Sequence, residues 1–226
     1  MDFFVVYGLT IISLIITLSA QLFVNGSYSK YKKKLNSRGM NGYNVAKEIL
    51  YKNGLSDVKV VAVNGNLTDH YDPRDKVVRL STDVYHGTSI ASVSVAAHEV
   101  GHAIQDRDGY LFMRIRAALV PVVNFSSFAG YIAIMIGLMF GTLNLVWLGI
   151  LFEVCILLFQ LVTLPVELNA SKRALQNIKE YNLLEGRELR QGRTMLTAAA
   201  MTYIAGVATT LIQILRLILM IGRRND

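Results

Sequence analysis

Long uncharged stretches dominate the pattern of hydrophobic and polar positions along the chain. Residues 3–24 carry no charge, residues 117–166 carry only Glu153, and residues 198–222 carry only Arg216. Because a helix that crosses a bilayer needs about 20 apolar residues, the outer stretches each fit one helix and the middle stretch fits two. The pattern predicts an α-helical membrane protein with three or four transmembrane helices, the number depending on whether Arg216 keeps the last segment from crossing completely.

The polar segment after the first apolar stretch has the periodicity of a small α+β unit. "NVAKEILYKNG" places its apolar residues on one face of a helix that ends at Gly54. The β-branched runs "VKVVAV" and "KVVRLS", separated by the turn signal "NGN", predict two strands. "SIASVSVAAHEVGHAIQDR" predicts a longer helix. A strand that precedes such a helix offers an edge with which an extended peptide can pair.

Positive charge predicts the orientation. Most of the 23 lysines and arginines lie in residues 25–116 and 165–199, and basic loops remain cytoplasmic. Both polar segments are therefore expected in the cytosol and the amino terminus outside, although the terminal "GRRND" mildly opposes this orientation. The net charge of +7 is interpreted as membrane topology with contact to the lipid bilayer. No nucleic-acid motif accompanies the basic residues, so nucleic acid is not an expected partner.

These patterns divide the chain into five predicted segments. The first apolar stretch is long and lacks preceding basic residues, which favours a retained anchor over a cleaved signal peptide. The predicted segments are an anchor (1–24), a cytosolic α+β segment (25–116), two transmembrane helices (117–164), a cytosolic helical segment (165–199) and a carboxy-terminal hydrophobic helix (200–226).

The segment "VAAHEVGHAI" carries the clearest chemical pattern. His98 and His102 are four residues apart, so on a helix both imidazoles face the same point. Glu99 stands beside them and can hold a water there. This is the H-E-x-x-H arrangement of zinc peptidases, which combines two ligands with a general base. We therefore predict one zinc ion per chain; the alternative is a pair of core histidines with their own hydrogen-bond partners.

Catalytic zinc takes a third protein ligand, and the chain offers two candidates. Asp108 follows His98 at the spacing that some zinc peptidases use, but that geometry needs a glycine where this chain has Gln105. Glu167 follows Pro165, where a span is expected to end and a helix to restart, and would emerge on the same side as the histidines. Its other interpretation is a helix-start carboxylate stabilised by the helix dipole.

Four stretches of the chain, "TDHYDPRDKVVRLS", "AAHEVGHAIQ", "LPVELNASKRAL" and "LTAAAMTYIA", together resemble the YugP-type neutral zinc metallopeptidases of bacterial membranes. The chain is more distantly similar to the membrane gluzincins, in which a glutamate on a later helix completes the metal site. The resemblance implies a small α+β gluzincin-like zinc peptidase core in a multi-pass protein of the bacterial inner membrane. It implies His98, His102 and Glu167 as zinc ligands and Glu99 as the general base.

The resemblance also raises questions about the residues around the ligands. In the distant relatives an aspartate follows the ligand glutamate by four residues; here that position is Ser171, and Asn169 or Ser171 is expected to orient a histidine instead. His70 and Tyr203, each within a family-like stretch, are the candidate donors to the oxyanion. The alternatives are a surface turn residue for His70 and a membrane-interface tyrosine for Tyr203.

The expected function is hydrolysis of peptide bonds at the cytosolic membrane interface by an endopeptidase whose protein or peptide substrate is membrane-associated. The oligomeric state is not predicted. One alternative is a non-hydrolytic zinc-binding regulatory or structural membrane protein, against which Glu99 argues because a structural site needs no base. Another is a transporter, for which only Glu153 and Arg216 supply ionisable residues inside the spans.

Overall fold

The computed structural model describes residues 3–222, with side chains from residue 7 onward. Asp2 and the last four residues of "GRRND" lie outside the described residues. In the described chain, helices and strands follow one another in this order: α1 (Phe3–Lys32), α2 (Gly42–Lys52), β1 (Lys59–Val63), β2 (His70–Asp72), β3 (Val77–Ser81), α3 (Thr82–His86), α4 (Ile90–Arg107), α5 (Leu111–Phe140), α6 (Leu143–Glu180) and α7 (Gly186–Gly222).

The chain divides into two compact units. Among the described residues, the apolar unit contains 3–21, 112–165 and 202–222, and the polar unit contains 22–111 and 166–201. The four long helices, α1, α5, α6 and α7, have residues in both units, although α5 contributes only its first residue, Leu111, to the polar unit.

Four described helices are long and apolar enough to cross a membrane: α1, α5, α6 and α7. Only 6–22 % of the residues in their apolar windows are buried within the protein, so most of their leucine, isoleucine and phenylalanine side chains face outward. Such a continuous apolar surface is unfavourable in water and suits lipid. The protein is thus mostly helical, with four candidate membrane-spanning helices, in agreement with the sequence.

Arg216 lies on the last helix, α7, which is one of the four candidate spans. From Thr202 onward, α7 belongs to the apolar unit and not to the soluble core. The Arg216 guanidinium donates a hydrogen bond of 2.8 Å to the Thr10 hydroxyl on α1. A charged side chain is tolerated in an apolar unit when neighbouring helices supply polar partners.

Three helices extend past the boundaries of the segments predicted from the sequence. α1 continues to Lys32, α6 continues through Pro165 without the expected interruption, and α7 already begins at Gly186. A proline inside a helix removes one backbone hydrogen bond, and membrane helices tolerate that loss when other groups satisfy the backbone. Glu167 therefore lies in the middle of a long helix and is not a helix-start carboxylate.

The polar unit contains a three-stranded sheet in the order β1-β3-β2. β1 and β3 are parallel, with Lys59 opposite Val77, and β2 is antiparallel to β3, with His70 opposite Arg79. The apolar face predicted for α2 is the face that is buried, and all four of its members are fully inaccessible: Val45, Ala46, Ile49 and Leu50. The sequence predicted β1 and β3 but not the short edge strand β2.

Helix α4 is the centre of the polar unit, and its middle crosses α6 very closely. A Cβ atom built on Gly101 would lie 2.7 Å from the carbonyl oxygen of Ala170. Any side chain at position 101 would therefore force the two helices apart. Glu167 precedes Ala170 by one helical turn on α6, so this close crossing brings its carboxylate to the histidines of α4.

Candidate metal centre

His98 and His102 on α4 and Glu167 on α6 come together in the polar unit. Their potential ligand atoms all lie within 4.8 Å of one another. Oε2 of Glu167 is 3.3 Å from Nε2 of His98 and 3.6 Å from Nε2 of His102. The two imidazole rings are nearly perpendicular, at 84°. The spacing of four residues on α4 and the close crossing of α6 therefore direct three donor atoms to one point.

The two distances from the carboxylate oxygen to the imidazole nitrogens fit a tetrahedral zinc ion. Ligands about 2.1 Å from such an ion lie about 3.4 Å from one another, which agrees with the 3.3 and 3.6 Å between the carboxylate oxygen and the imidazole nitrogens. Two imidazoles and one carboxylate leave a fourth position for water, as in catalytic zinc sites. Glu167 is only 3 % exposed, and a carboxylate so deeply buried needs a positive partner.

Both histidines direct Nε2 to this point, and other polar groups contact their Nδ1 atoms. Nδ1 of His98 lies 3.2 Å from the Ser171 hydroxyl, and Nδ1 of His102 lies 3.0 Å from Oε1 of Gln105. Such contacts fix the orientation of a metal-binding imidazole ring. The structure thus places the Ser171 hydroxyl against His98, while an orienting role of Ser171 stays a prediction.

Asn169 contacts the site through another residue. Its Oδ1 atom accepts a hydrogen bond of 3.0 Å from Nε2 of Gln105 and one of 2.8 Å from Nε of Arg173. Asn169 therefore lies one hydrogen bond further from the histidines than Ser171 does.

Two carboxylates give this part of the protein a negative potential. Glu99 is 7 % exposed, and burial raises the pKa of its carboxyl, while charge on His98 and His102 lowers it and the Glu167 carboxylate raises it. Burial alone would lower the pKa of His102, but the Glu167 and Glu99 carboxylates outweigh burial and the pKa is raised. The carboxylates that favour the protonated form of His102 also favour binding of a metal cation at this place.

Asp108, the other candidate for the third ligand, is engaged elsewhere. Its carboxylate accepts hydrogen bonds of 2.8 Å from Nε of Arg107 and 2.6 Å from the guanidinium of Arg173. Partial burial alone would raise the pKa of this carboxyl, but the two arginines lower it below its usual value. Asp108 is not a member of the metal-ligand group found among the described residues.

The two candidate oxyanion donors lie in different units. His70 is exposed at the start of the edge strand β2, and its Nδ1 atom lies 2.8 Å from the Thr68 carbonyl oxygen. Tyr203 is half-buried on α7 in the apolar unit. Neither belongs to the group formed by the histidines and Glu167.

Sequence reasoning missed two residues beside the histidines, Gln105 and Gly101. Gln105 follows His102 by three residues, which places it on the same helix face, and an uncharged amide among the buried residues of α4 was the only available signal. Gly101 lies within the H-E-x-x-H pattern itself, but its importance depends on α6, whose position the sequence does not reveal.

Comparison with known proteins gives two matches. A family model described as "Putative neutral zinc metallopeptidase" matches residues 6–222. The chain is also 44 % identical, over 218 residues, to the protein named "Putative membrane protease YugP" of Bacillus subtilis (strain 168). This similarity covers 96 % of the present chain and 97 % of the relative. No solved structure matches the chain.

Proposed function

Because the chain belongs to the neutral zinc metallopeptidase family that this model describes, we propose that it is an integral-membrane zinc endopeptidase. The site consists of His98, His102 and Glu167 as ligands of one zinc ion per chain and Glu99 as the general base. The order of the chain supports a gluzincin-like core, since the third ligand comes from a helix that follows the H-E-x-x-H helix.

One observation carries this proposal. Three donor atoms from α4 and α6 converge within 4.8 Å, and Glu99, the residue next to a ligand histidine, is buried with them. A site that only held a metal for structural reasons would close its coordination with a fourth protein ligand and would not need a carboxylate beside it. The combination of an open position and an adjacent base favours hydrolysis.

The residues of the site have separate tasks in the proposed reaction. Zinc, when bound, would lower the pKa of a coordinated water and polarise the scissile carbonyl. Glu99 takes a proton from the attacking water and delivers it to the leaving amine. Ser171 and Gln105 hold the two imidazoles in position. His70 and Tyr203 are the proposed hydrogen-bond donors to the oxyanion that forms on the scissile carbonyl.

The proposed location is the cytosolic face of the bacterial inner membrane. Most of the basic residues lie in the polar unit, and the positive-inside rule retains such segments in the cytoplasm. Glu167 follows the last residue of an apolar segment, Pro165, almost immediately. Membrane-associated proteins or peptides are therefore the proposed substrates, and the lipid bilayer is the proposed environment of α1, α5, α6 and α7.

Replacing Glu99 by glutamine tests the activity directly. The amide cannot accept the water's proton, so the variant should retain zinc and lose at least about 100-fold in hydrolysis. The measurement compares zinc content and the membrane-protein fragments that appear in cells producing each form. Glu48→Gln is the matched control, because Glu48 pairs with Lys52 and Arg38 on the surface of α2. Fragments that persist at the wild-type rate in Glu99→Gln would show that the protein does not use this base.

A further inference from the structure

We propose that Gln105 is a positioning residue that sets the tautomer of His102, so that Nε2 offers a lone pair to the metal. This inference rests on the proposed function, since it concerns a ligand of the same zinc site. Gln105 acts as the last member of a directed hydrogen-bond chain that begins at Arg173 and passes through Asn169. The direction of every bond in this chain follows from groups that can only donate or only accept.

The hydrogen-bond chain starts at the guanidinium of Arg173, which has donors and no acceptor. Arg173 donates through Nε to Oδ1 of Asn169 at 2.8 Å and through a second nitrogen to Asp108 at 2.6 Å. Because Arg173 can only donate, the side chain of Asn169 must present its oxygen, not its NH₂ group, to this region.

The orientation of Asn169 determines the orientation of Gln105. The NH₂ group of Gln105 has two acceptors, the Val166 carbonyl oxygen at 2.8 Å and Oδ1 of Asn169 at 3.0 Å. Rotating the amide by 180° would place its oxygen against the two acceptor oxygens, so that both hydrogen bonds donated by Gln105 would be lost. Gln105 is completely buried, so water does not replace the lost bonds, and the unsatisfied acceptors would be costly.

The orientation of Gln105 in turn determines the proton on His102. Both amide protons are already donated, so Oε1 of Gln105, 3.0 Å from Nδ1 of His102, can only accept. Nδ1 must therefore carry the proton. A neutral imidazole with its proton on Nδ1 has its lone pair on Nε2, the atom that faces Glu167 at 3.6 Å.

The other histidine lacks such a constraint. Its Nδ1 atom contacts the Ser171 hydroxyl at 3.2 Å, and a hydroxyl can either donate or accept. The two ligands are thus held differently: Ser171 orients the ring of His98, whereas Gln105 fixes both the ring and the tautomer of His102.

The experiment uses the full-length protein in detergent and three variants. Gln105→Leu removes the acceptor for Nδ1, Asn169→Leu removes the oxygen that orients Gln105, and Asn169→Asp keeps that oxygen and changes the rest of the side chain. One readout is the zinc dissociation constant, measured by competition with a chelator. The other is the NMR resonance of the Nδ1 proton of His102 in zinc-loaded, ¹⁵N-histidine-labelled protein. Thermal unfolding of the zinc-free forms shows whether each variant is folded.

We expect Gln105→Leu to bind zinc about 10–100-fold more weakly, as is typical when the partner of a ligand histidine is lost. Its Nδ1 resonance should move upfield and exchange faster with water. Asn169→Leu should show the same changes to a smaller extent, and Asn169→Asp should retain the wild-type affinity and resonance, because Arg173 and Gln105 still find an acceptor. A general packing defect would instead weaken both Asn169 variants alike.

The possible results distinguish a failure of the Gln105 proposal from a failure of the proposed peptidase function. If the wild-type protein binds zinc and Gln105→Leu matches it in affinity and in the Nδ1 resonance, the positioning role of Gln105 is wrong and the proposed peptidase site stands. Equal losses of zinc affinity in Asn169→Asp and Asn169→Leu would also overturn the positioning role of Gln105. If the wild-type protein takes up no zinc, the proposed function fails, and this inference fails with it.

Discussion

At the scale of single residues, Glu167 brings the third candidate ligand to the two histidines. Its carboxylate oxygen faces both Nε2 atoms, at 3.3 and 3.6 Å, and it is almost completely buried. Two imidazoles alone bind zinc weakly, whereas a third, negatively charged ligand completes the coordination typical of catalytic zinc. Asp108 cannot substitute for it, because both of its oxygens accept hydrogen bonds from arginines.

Two alanine variants test this assignment. Glu167→Ala should weaken zinc binding by more than the roughly 10–100-fold loss typical of residues that contact a ligand from behind. Asp108→Ala, the matched carboxylate deletion, should leave zinc affinity nearly unchanged, because Arg173 still donates to Asn169 through Nε. Isothermal titration or chelator competition on the two purified proteins is the measurement. Weak binding by Asp108→Ala together with normal binding by Glu167→Ala would move the third ligand to Asp108.

The sequence reveals candidate metal ligands and a candidate base, but it does not reveal the residues that contact those side chains. His98, Glu99 and His102 stand out because their spacing on one helix is sufficient to bring them together. Gln105 contacts Val166 and Asn169 of α6 as well as His102, and no pattern within α4 predicts the contacts with α6. The roles of His70 and Tyr203 stay predictions.

At the scale of secondary structure, the crossing of α4 and α6 creates the site. The Cβ position of Gly101 lies 2.7 Å from the Ala170 carbonyl oxygen, and this obstacle is backbone, which a rotamer change cannot remove. α6 also has to continue through Pro165 so that Val166, Glu167 and Ala170 lie on one regular helix. The geometry of the metal ligands therefore depends on a glycine and on an uninterrupted helix.

Gly101→Ala should separate α4 from α6 and impair the site. Overpacking of this kind costs about 1–3 kcal/mol, and we expect the variant to bind zinc much more weakly while all ligands remain present. Zinc affinity and thermal unfolding are the measurements. Gly26→Ala on α1 is the control, because nothing lies within 4 Å of its Cβ position and alanine is favoured over glycine in a helix by about 1 kcal/mol. Normal zinc binding by Gly101→Ala would show that the close crossing is not required.

The helices and strands that the sequence predicted correctly have strong local periodicity. Those that it missed depend on tertiary contacts. The apolar face of α2 and the β-branched runs of β1 and β3 are local signals. β2 is only three residues long, and its pairing with β3 leaves no recognisable pattern in the sequence. Pro165 was expected to interrupt a helix because of its intrinsic preference, yet α6 continues through it.

At the scale of the whole molecule, the proposed orientation places the polar unit in the cytosol. Leu35→Cys, made in a Cys155→Ala background, should react with a membrane-impermeant thiol reagent only after the cells are opened. Position 35 is well exposed, so lack of labelling in intact cells would reflect the membrane barrier. Thr142→Cys, in the exposed link between α5 and α6, is the matched control and should be labelled in intact cells. Labelling of position 35 but not of position 142 in intact cells would show that the orientation is reversed and that the site lies outside the cytosol.

The most direct test of the central claim is the zinc content of the purified protein. The wild type should contain one zinc ion per chain, because two imidazoles and a buried carboxylate converge in a single group. The double variant His98→Ala/His102→Ala removes two of the three donors and should contain almost none. Elemental analysis of both proteins, purified in parallel from zinc-supplemented cells, gives the answer. Zinc retained by the double variant at the wild-type ratio would contradict the account, since the metal would then be bound elsewhere.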